Sequence, residues 1–156
     1  MKFTHLDSAG QARMVDVTDK QPTKRAATAS ATVVCDPEIL KRIASGEMPK
    51  GDVLAMARIA GIAAAKRTPE LLPLAHVIGV HGAAVDLTLG PESIEVVATV
   101  RTADRTGVEM EALTAASVAA LALIDMVKGL DRHAHIREVK LLAKEGGRSG
   151  SWRRDA

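Results

Sequence analysis

One apolar segment constrains the fold of this chain more than any other feature. From Ala112 to Ile124 every residue is apolar or small, and Thr106 to Glu109 just before it have the spacing of a helix capping box. The pattern predicts a long helix from about Gly107 to Lys128. A helix that is apolar on nearly all sides is normally buried, so we expect the rest of the chain to enclose this one.

Segments with alternating apolar and polar residues predict β-strands, because successive side chains of a strand point to opposite faces. The first such segment runs from Ala26 to Cys35 and the last from Val139 to Ala143. Between them, Val85 to Leu89 and Ile94 to Val100 are separated by Gly90-Pro91-Glu92-Ser93, whose residue types favour a turn. We expect these two middle segments to form a hairpin.

Two shorter helices are predicted before the hairpin. Asp36-Pro37-Glu38 supplies an N-cap, a proline and an acid for a helix that should end near Gly46. The next helix is expected from Gly51 to Arg67, and it carries a strip of small residues that would let another backbone approach closely. The strip consists of Ala57, Ala60, Gly61 and Ala64.

The predicted order is strand, two helices, strand, strand, helix, strand. This is the split β-α-β order of ferredoxin-like domains, here with a divided first helix. We therefore predict an α+β fold with an antiparallel sheet, in a single oligomeric domain spanning residues 1–156. Residues 1–24 are expected to form an arm or edge strand, and residues 145–156 a glycine-rich basic tail.

The composition excludes several classes of function. The chain has 156 residues with 21 Lys plus Arg and 19 Asp plus Glu, so its net charge of +2 gives no general attraction to nucleic acid. Aromatic residues make up 1%, too few for base stacking. Cys35 is the only cysteine, which excludes an intramolecular disulfide and a zinc site built on several thiolates.

The sequence also predicts no metal site and no membrane segment. The five histidines do not form a ligand set with clustered carboxylates, so we expect no bound metal. No uninterrupted apolar run approaches the ~20 residues that a membrane span needs. No basic and then apolar signal pattern opens the chain, and the expectation is a cytoplasmic protein.

Charged residues near the ends of the long helix are candidate site residues. Asp125 and Lys128 are three residues apart and share a helix face, where they form either a local ion pair or a general acid–base pair. Glu111 falls within ~40° of the same face but ~21 Å away along the axis. Glu109 occupies the N3 position of the capping box, and this structural role alone would account for a glutamate at that position.

Further candidates are cations at the ends of predicted elements. Each of them alone would be a solvated surface charge, but together they could converge on an anion. They are Lys50, Lys66, Lys144 and Arg148. His76 follows the apolar segment Leu72–Ala75, a setting in which a lone histidine is more often a core residue than a catalyst.

The same residues give the sequence its resemblance to the MoaC family. The most specific segment is Thr106-Gly107-Val108-Glu109-Met110-Glu111-Ala112-Leu113-Thr114-Ala115. The other matching segments are Met14–Val17, Lys50–Asp52, Ala57–Ile62, Ala64–Thr68, Leu72–His76, Asp125–Lys128 and Leu141–Gly150. The resemblance therefore spans nearly the whole chain.

The resemblance implies a lyase of molybdenum cofactor biosynthesis that needs no cofactor. Its substrate would be a cyclised GTP, 3′,8-cyclo-7,8-dihydroguanosine 5′-triphosphate, made by the preceding radical enzyme, and its products cyclic pyranopterin monophosphate and pyrophosphate. Carboxylates and ammonium groups suit the required proton transfers, and cations suit the leaving pyrophosphate.

The resemblance also implies roles for individual residues. Asp125 and Lys128 would be the catalytic pair, and Lys50 a third participant. Substrate contacts would come from Leu74, Ala75, His76, Met110 and Glu111, with Lys66 and Lys144 on the charged portion and Glu109 and Arg148 as further candidates.

The separation of Glu111 from Asp125 predicts how subunits assemble. One small reacting centre cannot contact both ends of one helix, but an antiparallel two-fold pairing would bring Glu111 of one subunit near Asp125 of another. We expect an active site at a homodimer boundary, with the strip around Gly61 as a packing surface. The resemblance implies a hexamer, built as a trimer of such dimers.

Departures from the family pattern leave an alternative open. The family usually has a cysteine before the histidine and a proline after it, where this chain has Ala75 and Val77. Ile124 stands where a tyrosine is common. The alternative is a non-catalytic oligomeric module that binds a nucleotide or anion. An RNA-binding ferredoxin-like module is disfavoured because the predicted strands lack aromatic residues.

Overall fold

The computed structural model describes residues 5–155 and has five strands and four helices there. The strands are β1 (Thr23–Val34), β2 (Gly82–Leu89), β3 (Ser93–Asp104), β4 (His135–Glu145) and β5 (Trp152–Arg153). The helices are α1 (Pro37–Ser45), α2 (Val53–Ala65), α3 (Thr68–Leu71) and α4 (Glu109–Val127). All strand pairs are antiparallel, in the spatial order β2-β3-β1-β4-β5. This order confirms the predicted α+β, ferredoxin-like fold.

The core lies between the sheet and the helices α2 and α4. Alternate residues of β1 and β3 face the helices and are fully or almost fully buried: Ala27, Ala29, Ala31, Val33, Ile94, Val96, Ala98 and Val100. From α4 the sheet receives Ala112, Ala115, Ala116, Ala119, Ala120 and Leu123, each with no exposed surface. The small alanine side chains let α4 lie close to the sheet, as the apolar segment predicted.

The buried helix α4 is also long and apolar enough, by length and composition alone, to cross a membrane. The count of uninterrupted apolar residues did not anticipate this. The helix packs against α2 and against strands β1, β3 and β4, and its buried positions recur every three or four residues. These contacts are those of a core helix.

The small-residue strip of α2 is used inside the subunit. A Cβ on Gly61 would lie 2.9 Å from the carbonyl oxygen of Ala115 and 3.1 Å from Ala119 Cβ, so only glycine allows this approach of α2 to α4. Ala57 and Ala64 of the strip are buried too. The expectation that the strip packs against another subunit is therefore wrong, because α4 of the same chain already covers it.

Several predicted ends are confirmed and others are corrected. Asp36 caps α1 by accepting from the Glu38 N–H, and Gly46 ends that helix in the left-handed conformation at φ 74°. The expected capping box is absent: α4 begins at Glu109 after Val108, with no side-chain cap. The helix α2 ends at Ala65, two residues before the expected Arg67, and the short helix α3 follows it.

The two terminal segments have little regular secondary structure in the described part of the chain. Before β1, the described part of the arm contains one isolated bridge, between Leu6 and Ala12, and no edge strand. β1 cannot accept another strand, because β3 and β4 occupy both of its edges. The tail adds the short strand β5 to β4 after its glycines. Residues 1–4 and 156 lie outside the described part of the chain.

Candidate active site

Three charged side chains meet at the carboxyl end of α4. Lys128 Nζ lies 2.7 Å from Asp125 Oδ1, and Lys50 Nζ lies 3.8 Å from Asp125 Oδ2. Lys50 also donates to the Asp125 backbone carbonyl at 2.6 Å. Lys50 reaches this position because α2, which starts just after it, runs antiparallel to α4. The structure thus brings together the three residues expected to form the catalytic group.

This group of three lies on the surface of the isolated subunit. The side chains of Asp125 and Lys128 are 62% and 61% exposed, so in a single chain the two residues form an exposed ion pair. Hydrogen bonding and charge attraction from Lys128, and then the charge of Lys50, lower the pKa of Asp125. The carboxyl group is therefore an anion held between two ammonium groups at neutral pH.

A second group of candidates surrounds a cavity of about 440 Å³ at the amino end of α4. Leu74, Ala75 and His76 come from the loop between α3 and β2, and Glu109, Met110 and Glu111 from the first turn of α4. The arm closes another side of the cavity. The lining residues from the arm are His5, Val15, Val17 and Lys20.

Glu111 is the most buried charged group of this cavity. It is 4% exposed, and burial is the main cause that raises its pKa; the charge of nearby Glu109 adds to the rise, and His76 opposes it. A carboxyl group in this setting holds its proton to a higher pH than an exposed one. Its environment thus differs in direction from that of Asp125, whose pKa is lowered.

His76 is held by the arm. Its Nε2 lies 2.6 Å from the carbonyl oxygen of Val15. This histidine is not the core residue that its apolar surroundings suggested, because its ring lines the cavity.

Glu109 and Lys144 form an ion pair beside the same cavity. Lys144 Nζ donates to Glu109 Oε1 at 3.0 Å, and both side chains are less than one-third exposed. The Glu109 carboxylate folds back over Gly107, where a Cβ would collide with it. Glu109 therefore binds a lysine of β4 instead of closing a capping box.

The other two cations lie outside this cavity. Lys66 is exposed at the carboxyl end of α2 and does not line it. Arg148 lines a separate cavity of about 940 Å³ between the segment 19–25 and the glycine-rich turn. Lys20 lines both cavities and so lies between Arg148 and the Glu111 cavity.

Sequence reasoning missed the contribution of the arm. Met14 to Val17 belong to the segment expected to form an arm or edge strand, and two alternate residues of it, Val15 and Val17, line the cavity. Their alternation with polar residues was the available signal. The spacing could not tell whether that apolar side would cover a strand or a pocket.

The two groups of residues are at opposite ends of α4. Asp125 follows Glu111 by 14 residues, which at ~1.5 Å per residue separates them by ~21 Å. One group offers an ionised carboxylate with two ammonium ions, and the other a carboxyl group of raised pKa with an imidazole. Together they have the acid, base and cation functions that a multistep proton transfer on an anionic substrate needs.

Comparisons with known proteins place the chain in a family. The MoaC family model matches residues 14–147. A relative from Geobacter metallireducens is 57% identical over 157 residues, covering 99% of this chain and 98% of its own. Relatives from Chloroflexus aurantiacus (56% over 155 residues, 98% and 95% covered) and Streptomyces avermitilis (54% over 153 residues, 98% and 90% covered) are similar. All three are named cyclic pyranopterin monophosphate synthase. This chain therefore belongs to the MoaC family.

Proposed function

We propose that this protein is a cyclic pyranopterin monophosphate synthase. It converts 3′,8-cyclo-7,8-dihydroguanosine 5′-triphosphate into cyclic pyranopterin monophosphate with release of pyrophosphate, an early step of molybdenum cofactor biosynthesis. The names of relatives that are 54–57% identical over nearly the full length support this activity. The substrate comes from a preceding radical enzyme that cyclises GTP.

The observation that carries this proposal is the carboxylate of Asp125 between Lys50 and Lys128. The reaction opens a guanine-derived ring and closes a new one, so protons must leave and join several atoms. Asp125 is ionised and suits the role of base, while the neighbouring ammonium groups supply protons and stabilise negative charge on phosphate oxygens. A module that only binds an anion would account for the two ammonium groups but not for the carboxylate between them.

The direct test supplies the cyclised nucleotide to the purified protein and measures released pyrophosphate and the fluorescent oxidation product of the pterin. Lys128→Ala should abolish turnover. Lys41→Ala is the matched control, because Lys41 also forms an exposed i,i+3 ion pair, with Glu38 on α1. Nucleotide binding without product in the wild-type protein would support the alternative, a binding module. Wild-type turnover in Lys128→Ala would refute the catalytic role.

We further propose that each active site combines the two ends of α4 from two subunits. The ~21 Å between the ends is too far for one small substrate, whereas a two-fold axis across antiparallel helices exchanges them. Large apolar side chains on α2 and α4 support a buried helix layer: Met56, Ile59 and Leu121 are 51%, 62% and 57% exposed. Burial against a second copy would also enclose the exposed Asp125.

Mixing two inactive variants tests this arrangement. In the proposed dimer, Asp125→Ala and Glu111→Ala subunits would together form one intact site and one doubly altered site. In an equal random mixture half of the dimers are mixed, so about a quarter of the sites should recover. The control is each variant mixed with itself. No recovery at any ratio would contradict a shared site.

The remaining assignments belong to the same proposal. Leu74, Ala75, His76 and Met110 hold the ring system, and Lys66, Lys144 and Arg148 act on the phosphates. The family resemblance favours a trimer of dimers, which analytical ultracentrifugation can measure. We place the protein in the cytoplasm, because a nucleoside triphosphate derivative is too highly charged to cross a membrane unaided.

A further inference from the structure

The hydrogen bond between His76 and the arm fixes which ring nitrogen carries the proton. A backbone carbonyl can only accept, so the 2.6 Å contact to Val15 requires that Nε2 of His76 be the donor. In the neutral ring, Nδ1 is then an acceptor. We propose that the Val15 carbonyl is a positioning group, which holds His76 in the Nε2–H tautomer and makes Nδ1 the nitrogen that exchanges protons with the substrate. The inference rests on the proposed function.

The local structure of the arm orients the Val15 carbonyl group. Val15 and Val17 are partly buried and line the cavity, while Asp16 between them is exposed. Asp16 Oδ1 accepts from the Thr18 N–H at 2.9 Å and from the Thr18 hydroxyl at 2.6 Å. This local turn fixes the peptide direction directly after Val15 without using any group of the cavity.

Other titratable groups surround His76 and make a proton acceptor at its Nδ1 useful. The titratable groups that line the same cavity are His5, Lys20, Glu109 and Glu111. His76 and Glu111 line the same cavity, and the charge of the ring acts to lower the pKa of that carboxyl group. A fixed tautomer lets the imidazole accept a proton at one defined position, instead of dividing the proton between two nitrogens.

Two other histidines provide internal references. Nδ1 of His81 accepts from the Ala103 N–H at 3.1 Å, which also requires an Nε2–H ring. Nδ1 of His135 contacts the His133 carbonyl at 3.0 Å and must be a donor, so His135 is the opposite tautomer. The same protein therefore offers one example of each form.

The first test is solid-state ¹⁵N NMR of the full-length protein with labelled histidine, at a pH where the rings are neutral. Spectra of His76→Gln and His135→Gln assign the signals. The expected result is an Nε2–H ring at His76 and an Nδ1–H ring at His135. A proton on Nδ1 of His76 would overturn the inference, whether or not the protein turns over the substrate.

A second test separates the arm contact from catalysis. The amide nitrogen of glutamine can replace Nε2, whereas that of the shorter asparagine cannot reach Val15. His76→Gln should therefore keep the wild-type rate of tryptic cleavage after Arg13, and His76→Asn should increase it about tenfold. Both variants should lose turnover, because neither retains a base at Nδ1. Equal cleavage of the two variants would contradict the contact.

The third test acts on the arm alone. Asp16→Ala removes the turn after Val15, and Asp16→Asn is the matched control that keeps the Oδ1 acceptor. We expect kcat to fall about tenfold in Asp16→Ala with little change in KM, and to stay within about twofold in Asp16→Asn. An unchanged kcat in Asp16→Ala would refute the positioning role. If the wild-type protein makes no product, the proposed function fails while the NMR and cleavage results still decide the contact.

Discussion

Gly61 lies at the closest approach of α2 to α4, and the space there does not admit a methyl group. A Cβ would lie 2.9 Å from the Ala115 carbonyl oxygen and 3.1 Å from both Ala119 Cβ and Val85 Cγ2. Carbon atoms in ordinary contact are ~3.5–4.0 Å apart. None of the three neighbours can rotate away easily, because one is backbone and all belong to residues that are 2% exposed or less. Gly61→Ala must therefore displace α2 by several tenths of an ångström.

Two opposing effects set the magnitude of the change in stability. Overpacking a core costs about 1–3 kcal/mol, whereas alanine is better than glycine inside a helix by about 0.8–1.0 kcal/mol. Since the neighbours are rigid, the overpacking cost should fall in the upper half of its range. We expect a net loss of about 1–2 kcal/mol in the free energy of unfolding, which lowers Tm by about 4 °C for a domain of this size.

Thermal unfolding followed by circular dichroism at one fixed protein concentration measures this change, because subunit association would otherwise shift Tm. Gly129→Ala is the control. A Cβ at Gly129 meets no atom within 4 Å, so this substitution should leave Tm unchanged or raise it slightly. If Gly61→Ala were as stable as the wild-type protein, the close packing of α2 on α4 would be refuted.

Three further predictions concern titratable groups. Burial, and then the Asp131 charge, raises the pKa of Cys35 to about 12, so mass spectrometry should find it unalkylated by iodoacetamide at mildly alkaline pH until the protein unfolds. Asp131→Ala should lower the free energy of unfolding by roughly 2–3 kcal/mol, because Asp131 accepts from three backbone N–H groups. These bonds lower the pKa of Asp131 in the folded protein. Their contribution to stability is therefore present above the ordinary pKa of an aspartate and is lost as the pH falls through the lowered, folded-state pKa. Acid unfolding of the variant and of the wild type would measure this loss. The raised pKa of Glu111 works in the opposite direction. The contribution of this carboxyl group to stability is present below the ordinary pKa of a glutamate and is lost as the pH rises through the raised, folded-state pKa. In denaturant titrations, Glu111→Gln should therefore gain stability relative to the wild type between acidic and neutral pH.

Local sequence patterns predicted those helices and strands that must bury an apolar face against another element. The alternation in β1 and β3 and the long apolar run of α4 leave one face or one side to bury, and the structure buries them against each other. Both ends of α1 were predictable for a different reason, because Asp36 and Gly46 act on backbone groups only a few residues away.

Contacts between distant residues account for what the patterns did not predict. Glu109 has the spacing of a capping residue, but its carboxylate binds Lys144, which follows it by 35 residues. An ion pair formed by folding therefore overrides a local signal. Likewise, Lys50 and Asp125 are 75 residues apart, and only the antiparallel packing of α2 on α4 joins them. Spacing along the chain carries no information about such a pair.

The two carboxyl groups of the proposed site lie in opposite environments, and this difference supports opposite roles for them in the proposed function. Asp125 is exposed between two ammonium groups that lower its pKa, while burial, together with the charge of Glu109, raises the pKa of Glu111. When the pKa values of two acids in one site are driven apart in this way, the lower one serves as the base and the higher one as the acid. A single subunit keeps them ~21 Å apart along α4. In the proposed function each chain therefore carries both the base and the acid, and the proposed pairing of subunits would let both groups act on the same substrate.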